Sequence, residues 1–298
     1  MRGPQHNSLL ARAALALLCL IWGSTWLAIK AGLGDMPPLT SAALRFGLAG
    51  LLMIPVARVL GPLEGGERPT LRLSMTYGVF AMAASYGVVY VVETELPSGL
   101  VSVLWAIYPA LLAALAHWIL PQERMRPVQW SGLCLGFLGV VLMLSSDLAD
   151  LGPRALPMGL LLLLSPLSCA IGNLYIKRDG AGTNSLQLNR NGMLIGGLLL
   201  GIAALCFERD QAMQLTSTAL LSILYLALVG SVLAFGLYYW LQRFLPVTQM
   251  SMIVYCIPII ALGLGALLGG EELRLSTVLG MLLILGGVSV VLTHRRKA

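Results

Sequence analysis

The sequence predicts an all-α integral membrane protein with ten transmembrane helices arranged as two inverted five-helix repeats. Composition is the first reason. Of 298 residues, 58% are hydrophobic and 11% charged, and the mean hydropathy is +0.85, well outside the range of soluble globular chains. The second is that the apolar residues fall into ten runs, each near the roughly 20 residues that a bilayer-spanning helix needs. The third is an internal offset near 147 to 149 residues at which the second half echoes the first.

The first span covers roughly residues 10 to 30, behind Arg2 and Arg12. It imitates a secretory signal, but it reaches Lys30 without an A-x-A-like site and further spans follow, so it reads as a retained helix. Pro37-Pro38 opens the second span, about 38 to 58, and Gly61-Pro62 closes it. Pro97 separates the third, about 71 to 92, from the fourth, about 98 to 119. Pro121 precedes the fifth, about 129 to 145, and Gly152-Pro153 divides the halves. The sixth and seventh, about 158 to 178 and 187 to 206, end at Glu208-Arg209-Asp210. The eighth, about 217 to 241, is followed by Pro246 and the ninth, about 248 to 269. Glu271-Glu272 leads into the tenth, about 276 to 293. Residues 1–150 therefore form the first repeat and 151–298 the second, and no loop has room for a catalytic domain outside the bilayer.

Positive charge sets the orientation, because Lys and Arg are retained on the cytoplasmic side. The side holding both termini carries Arg2, Arg12, Arg58, Arg68, Arg72, Arg124, Arg126, Lys177, Arg178, Arg243, Arg295, Arg296 and Lys297, thirteen in all. The other carries Lys30, Arg154, Arg209 and Arg274, and Arg45 and Arg190 complete the 19. Both termini are predicted cytoplasmic, in a bacterial inner membrane. The net charge of +6 then reflects this bias and the anionic inner leaflet, and nucleic acid is not a partner. Cys19, Cys134, Cys169, Cys206 and Cys256 all fall in spans without metal spacing and read as small core residues; no metal or cofactor is expected.

The repeat extends along the chain. Trp26 and Lys30 meet Asn173 and Lys177, Pro97 meets Pro246 and Ser102 meets Ser251, and Arg45 meets Arg190 at the slightly shorter offset of 145. Pro109 meets Pro258, Glu123 meets Glu271 or Glu272, and Gly132 with Gly139 meets Gly280 with Gly287. Five helices per copy is an odd number, so successive copies enter the membrane from opposite sides. The run Trp22-Gly23-Ser24-Thr25-Trp26 with Lys30, Pro38, Arg45, Pro109, Glu123 and a glycine-rich fifth helix resembles an EamA repeat of the drug/metabolite transporter superfamily. Asn173, Lys177, Arg190, Pro258, Glu271-Glu272 and Gly280 resemble a second copy. The resemblance covers nearly the whole chain and implies a ten-helix exporter with a central cavity between the repeats. Cys169 departs from the pattern, standing where the partner of Trp22 belongs.

Candidate site residues follow from the same offset. Tyr86 and Tyr90 are four apart and share a helix face, and they map onto Phe235 and Tyr239. Trp105 and Tyr108, with Trp22 and Trp26, complete a possible aromatic lining for apolar, aromatic or cationic cargo; the alternative is that these rings fill helix interfaces or aromatic belts. Arg45 and Arg190 each cost at least about 2.5 kcal/mol at a helix centre unless paired or hydrated. They either grip a substrate carboxylate or snorkel and tie helices together. Asn173, Asn189 and Asn191 join such a network. Pro109 and Pro258 are expected to kink the fourth and ninth helices as hinges. Gly132, Gly136, Gly196, Gly197, Gly201, Gly263, Gly265 and Gly286-Gly287 are expected to permit close helix approach.

No Asp or Glu falls in the middle third of any span, which favours facilitated transport, with His117 and Glu93 as the residues to consider should proton coupling exist. No G-x-x-x-x-G-K-[ST] loop is present, which disfavours an ATP motor. An intramembrane enzyme is disfavoured by scattered histidines (His6, His117, His294) and the lack of an acidic pair or nucleophile elbow in a span. The expected partners are the lipid bilayer and a small-molecule substrate, most plainly an aromatic or apolar amino acid, carried by a monomer or homodimer. Hydrophobic organic cations are the alternative cargo, and a non-transporting subunit held by glycine packing is the alternative role.

Overall fold

The computed structural model describes residues 4–146, 151–241, 250 and 252–293, with the side chains of residues 4–9, 122, 145, 146 and 239 outside that description. The described residues form ten helices. They are α1 Pro4–Gly32, α2 Pro38–Glu64, α3 Leu71–Glu93, α4 Ser98–Ile119, α5 Pro127–Ser146, α6 Ala155–Asp179 and α7 Ser185–Phe207. After these come α8, built of Ser217–Leu224, Tyr225–Leu233 and Ala234–Leu241, then α9 Met252–Leu268 and α10 Leu275–Thr293. Nine of them are long and apolar enough to cross a bilayer, and α9 is a shorter apolar helix among the described residues. The breaks fall at the expected punctuation: Pro38 stands in the first turn of α2, Pro97 caps α4 and Pro121 follows it.

Four helices depart from a regular 3.6-residue period, α6 only at Leu163, where Ala155–Leu162 gives way to Leu164–Asp179. In α3 the stretch Tyr77–Ala84 is π-helical, and in α8 the stretch Tyr225–Leu233 is too, so the two distortions occupy equivalent places in the two copies. Short π segments concentrate where a helix serves function rather than maximal regularity. α4 is broken, with Ser98–Trp105 ending at Ala106-Ile107 and Tyr108–Ile119 starting anew. Pro109 sits in the first turn of that second piece, where its missing N–H costs nothing. Its equivalent Pro258 lies inside the continuous helix α9. The two prolines therefore act differently: a break in one copy, an uninterrupted helix in the other.

The copies are joined by two symmetry-related helix pairs. α2 packs on α7, and a Cβ on Gly197 would lie 2.6 Å from the backbone of Gly47. α5 packs on α10, where a Cβ on Gly132 would lie 2.7 Å from the Gly287 carbonyl, so only glycine allows this approach. Gly263 meets nothing within 4 Å and Gly201 and Gly286 only side chains in ordinary contact, so these three do not mark close crossings.

Carboxylates then cap helices across the copies. Glu64, at the end of α2, accepts from the first amides of α7 at Ser185 and Leu186 and from the Ser185 hydroxyl. Glu208, just past α7, accepts from Leu39 and Thr40 of α2 at 2.7 and 2.8 Å. Carboxylates at helix N-termini satisfy donors that have no partner within the helix.

The cysteines divide. Cys19 is buried, but Cys134 and Cys206 are exposed on the outer, apolar surface, and Cys169 reaches the interior cavity. The expectation that all five are core residues fails for Cys134 and Cys206, because in a bilayer the outside of the bundle is as apolar as its core.

Candidate functional site: an aromatic cavity with a buried arginine

A cavity of about 410 Å³ lies at the centre of the bundle, lined from α1, α2, α3, α4, α6, α8 and α9. Ten of the expected residues reach it: Trp22, Trp26, Arg45, Tyr86, Trp105, Tyr108, Asn173, Phe235, Pro109 and Pro258. Both copies contribute, as the offset implies. Tyr86 and Phe235, equivalent in sequence, line it together.

The aromatic residues form two connected walls. Trp22 packs on Phe235 and Tyr238 with ring centroids 5.6 and 5.5 Å apart. Trp26 meets Trp105 at 6.1 Å, and Trp105 stacks on Tyr108 at 4.9 Å. Edge-to-face and offset arrangements of this kind are the favoured ones. Trp105 is fixed by a 3.0 Å bond from its Nε1 to the Ser165 hydroxyl, which also pairs with Ser85 at 3.0 Å. Asn173 bonds within its own helix to the Cys169 carbonyl at 2.9 Å and its sulfur at 3.2 Å, leaving its carbonyl oxygen without a bonded partner of its own helix.

Among the described residues Arg45 is the one charged residue in the lining, and it is 2% exposed. Its Nε donates to the Ser231 hydroxyl at 3.3 Å and its Nη1 to the Tyr90 hydroxyl at 3.4 Å, both long bonds to neutral partners. Its guanidinium carbon also stands 5.0 and 5.1 Å from the ring centres of Phe46 and Tyr86. Among the described residues no carboxylate lies within ion-pair distance of it. Tyr90 is fully buried behind the lining, as the partner of Arg45 rather than a wall of the cavity.

Arg190 stands elsewhere. It donates to Asn191 at 3.1 and 2.8 Å, and Asn191 in turn donates to Ser74, so this arginine joins a network on α7 and α3 outside the cavity lining. Asn189 accepts from Tyr77. Tyr239 lies outside the residues whose side chains are described. His117 is taken up by a bond from the Met125 amide to its Nδ1 and by contacts with Trp118 and Trp130.

Several lining residues escape a sequence reading: Tyr77, Thr25, Ser85, Ser102, Cys169 and Tyr238. One signal was present. Tyr77 and Tyr225 recur at an offset of 148, each opens a π segment, and Tyr225 pairs with Ser24 of α1 at 2.6 Å.

Polar bonds tie neighbouring helices together just beyond one end of the cavity. Its lining on α1 stops at Ile29. Immediately beyond, Lys30 donates to the carbonyls of Glu93 at 2.6 Å, Leu96 at 3.1 Å and Thr94 at 3.4 Å. Glu271 accepts from the Ser98 amide and hydroxyl and from the Gly99 amide, capping α4. At the opposite end of α4, Lys177 of α6 pairs with Glu123. Lys30 and Lys177 thus lie at opposite ends of one helix about 33 Å long, as an inverted repeat requires.

Comparison with known proteins agrees with this architecture. The model of the EamA-like transporter family matches residues 10–145 and again 156–293. The inner membrane transporter YedA of Escherichia coli K12, itself uncharacterized, is 30% identical over 261 residues, spanning 87% of this chain and 83% of its own. The uncharacterized transporter YoaV of Bacillus subtilis is 26% identical over 90% of this chain and 92% of its own. A probable amino-acid metabolite efflux pump of E. coli K12 is 27% identical over 92% of each chain. A solved crystal structure superposes with a TM-score of 0.65, at 18% identity and 97% coverage, which speaks to the fold.

Proposed function

Because the chain belongs to the EamA-like transporter family, and is therefore a multi-pass membrane transporter rather than an enzyme, we propose that it exports small metabolites, namely amino acids with aromatic or apolar side chains. The observation that carries this reading is Arg45. A guanidinium buried in a cavity without a carboxylate partner offers a bidentate site for an incoming carboxylate. The rings of Trp22, Trp26, Tyr86, Trp105, Tyr108 and Phe235 supply apolar walls for the side chain of such a substrate. The cargo of the E. coli efflux pump fits the same chemistry. We place both termini in the cytoplasm from the charge bias, so the cavity is closed on the exterior side by Lys30 and Glu271.

On this reading α4 and α9 rock about Pro109 and Pro258 to expose the cavity alternately to the two sides, driven by gradients and not by ATP. Proteoliposome counterflow of labelled phenylalanine, threonine and a quaternary ammonium dye tests it, with Arg45→Gln alongside the wild type. Saturable phenylalanine exchange that falls ten-fold or more in the variant is the expected result. Flux of the dye alone, insensitive to Arg45→Gln, would instead identify an exporter of organic cations.

A further inference from the structure

Glu93 ends α3 and is 0% exposed, and neither of its carboxyl oxygens has a hydrogen-bond partner. A buried carboxylate without partners is among the costliest arrangements a protein can hold, and it is relieved by taking up a proton. The neighbouring cation does not relieve it through a bond: Lys30 spends its donors on the carbonyls of Glu93, Thr94 and Leu96. The charged groups facing Glu93 are Lys30 of α1, Arg45 of α2 and Glu271 beyond α9. Glu95 is turned to Arg154 at 3.5 Å. On its own helix Tyr90, three residues earlier and on the same face, accepts from Arg45, which lines the cavity, and interacts with Glu93 electrostatically and not through a bond.

We propose that Glu93 is a proton-carrying site that links substrate movement to the proton gradient. The inference rests on the carrier reading above and replaces its uncoupled form. A carboxyl couples two movements when each access state gives it a different environment and a different aqueous side. Here the carboxyl is buried without a partner and holds its proton while Lys30 and Glu271 bond across the adjoining end. When that end parts, the Lys30 carbonyl bonds are released, water reaches the carboxyl, and its proton exchanges with the exterior. Lys30 is then free to pair with the carboxylate. With the end closed again, the route left for the proton runs past Tyr90 and Arg45 to the cavity. Binding at Arg45 and protonation at Glu93 are thereby coupled electrostatically, with Tyr90 beside both. The sequence expectation of uncoupled flux rested on position along the span, whereas burial decides whether a carboxyl is a proton site.

The test uses the full-length chain in proteoliposomes with a lumenal pH indicator. Wild type should accumulate phenylalanine against its gradient when a pH gradient is imposed and move protons when phenylalanine is added. Glu93→Gln should keep phenylalanine counterflow within about two-fold while losing both proton-linked signals. Wild-type flux indifferent to the pH gradient, or a variant that still accumulates phenylalanine, overturns the proposal. A second readout needs no substrate. The infrared spectrum of the purified protein should contain the carbonyl band of a protonated carboxylic acid that titrates with pH and is missing from Glu93→Gln. Absence of that band rejects the proton site, and its presence without phenylalanine flux rejects only the amino-acid cargo.

Discussion

At the scale of single residues, the contrast between Arg45 and Arg190 carries the most weight. Both stand inside apolar runs at matching places, and sequence treats them alike. Arg190 has Asn191 beside it and Ser74 beyond, so its donors are used locally. Among the described residues Arg45 finds two hydroxyls at long range and two ring faces and no carboxylate, the observation on which the proposed carboxylate site rests. Arg45→Lys keeps the charge but loses the fork, and should weaken phenylalanine transport about ten-fold, corresponding to about 1.4 kcal/mol. Tyr90→Phe removes one long bond and should cost less, a change of a few-fold in KM. Cys169 offers an independent probe, since it is the cysteine that lines the cavity. In a chain whose other four cysteines are replaced by Ser, a maleimide should label it, and saturating phenylalanine should slow that labelling several-fold. Unprotected labelling by a substrate that is demonstrably transported would place the binding site elsewhere. Trp22, Trp26 and Trp105 were legible because large aromatics are sparse in glycine-rich spans, even though Cys169 and Asn173 stand at the places of the first two in the second copy. The hydroxyl pairs Ser85–Ser165 and Ser24–Tyr225 were not, because serines in spans look alike whichever way they face.

At the scale of elements, sequence punctuation located every described helix, while the distortions within them went unread. A π segment adds to the turn, so residues on either side of Tyr77–Ala84 no longer share a face by 3.6-residue spacing. Tyr86 and Tyr90 both lie after the segment, which is why their four-residue spacing still places them together. The break in α4 was read as a kink because proline alone does not reveal whether the helix resumes. Pro109 denies the Trp105 carbonyl an amide partner four residues on and so keeps the two pieces of α4 separate. Pro109→Ala supplies that donor and lets the helix run through. Turnover should fall several-fold with KM nearly unchanged, since the substituted residue keeps its place in the wall. Pro258→Ala, in a helix that is already continuous, should have the smaller effect on turnover. A Pro109→Ala variant with full turnover would show that α4 does not bend there.

At the scale of the whole molecule, each tie at one end of the bundle has a counterpart at the other. Glu67 donates its amide to the Gly182 carbonyl at 2.8 Å, and Gln214, equivalent to Glu67, donates to Asp35 at 2.9 Å. Lys30 and Lys177 repeat this relation with a difference: Lys30 holds backbone carbonyls at the end that Glu271 caps, whereas Lys177 pairs directly with Glu123. If access alternates about the pseudo-two-fold, each lysine stabilises closure of its own end only. Lys30→Gln should then favour opening on the exterior side and Lys177→Gln opening on the cytoplasmic side. A loss of about 1 to 2 kcal/mol at either end corresponds to a shift of roughly 5- to 30-fold in the balance of states. Cysteines introduced at Leu96 and at Leu120, near the two ends of α4, report it through a membrane-impermeant maleimide applied from each side in turn. Opposite changes in labelling are the expected outcome. The same change in both variants would mean that the ties act only on stability, and that the symmetry of the sequence is not used as a symmetry of motion.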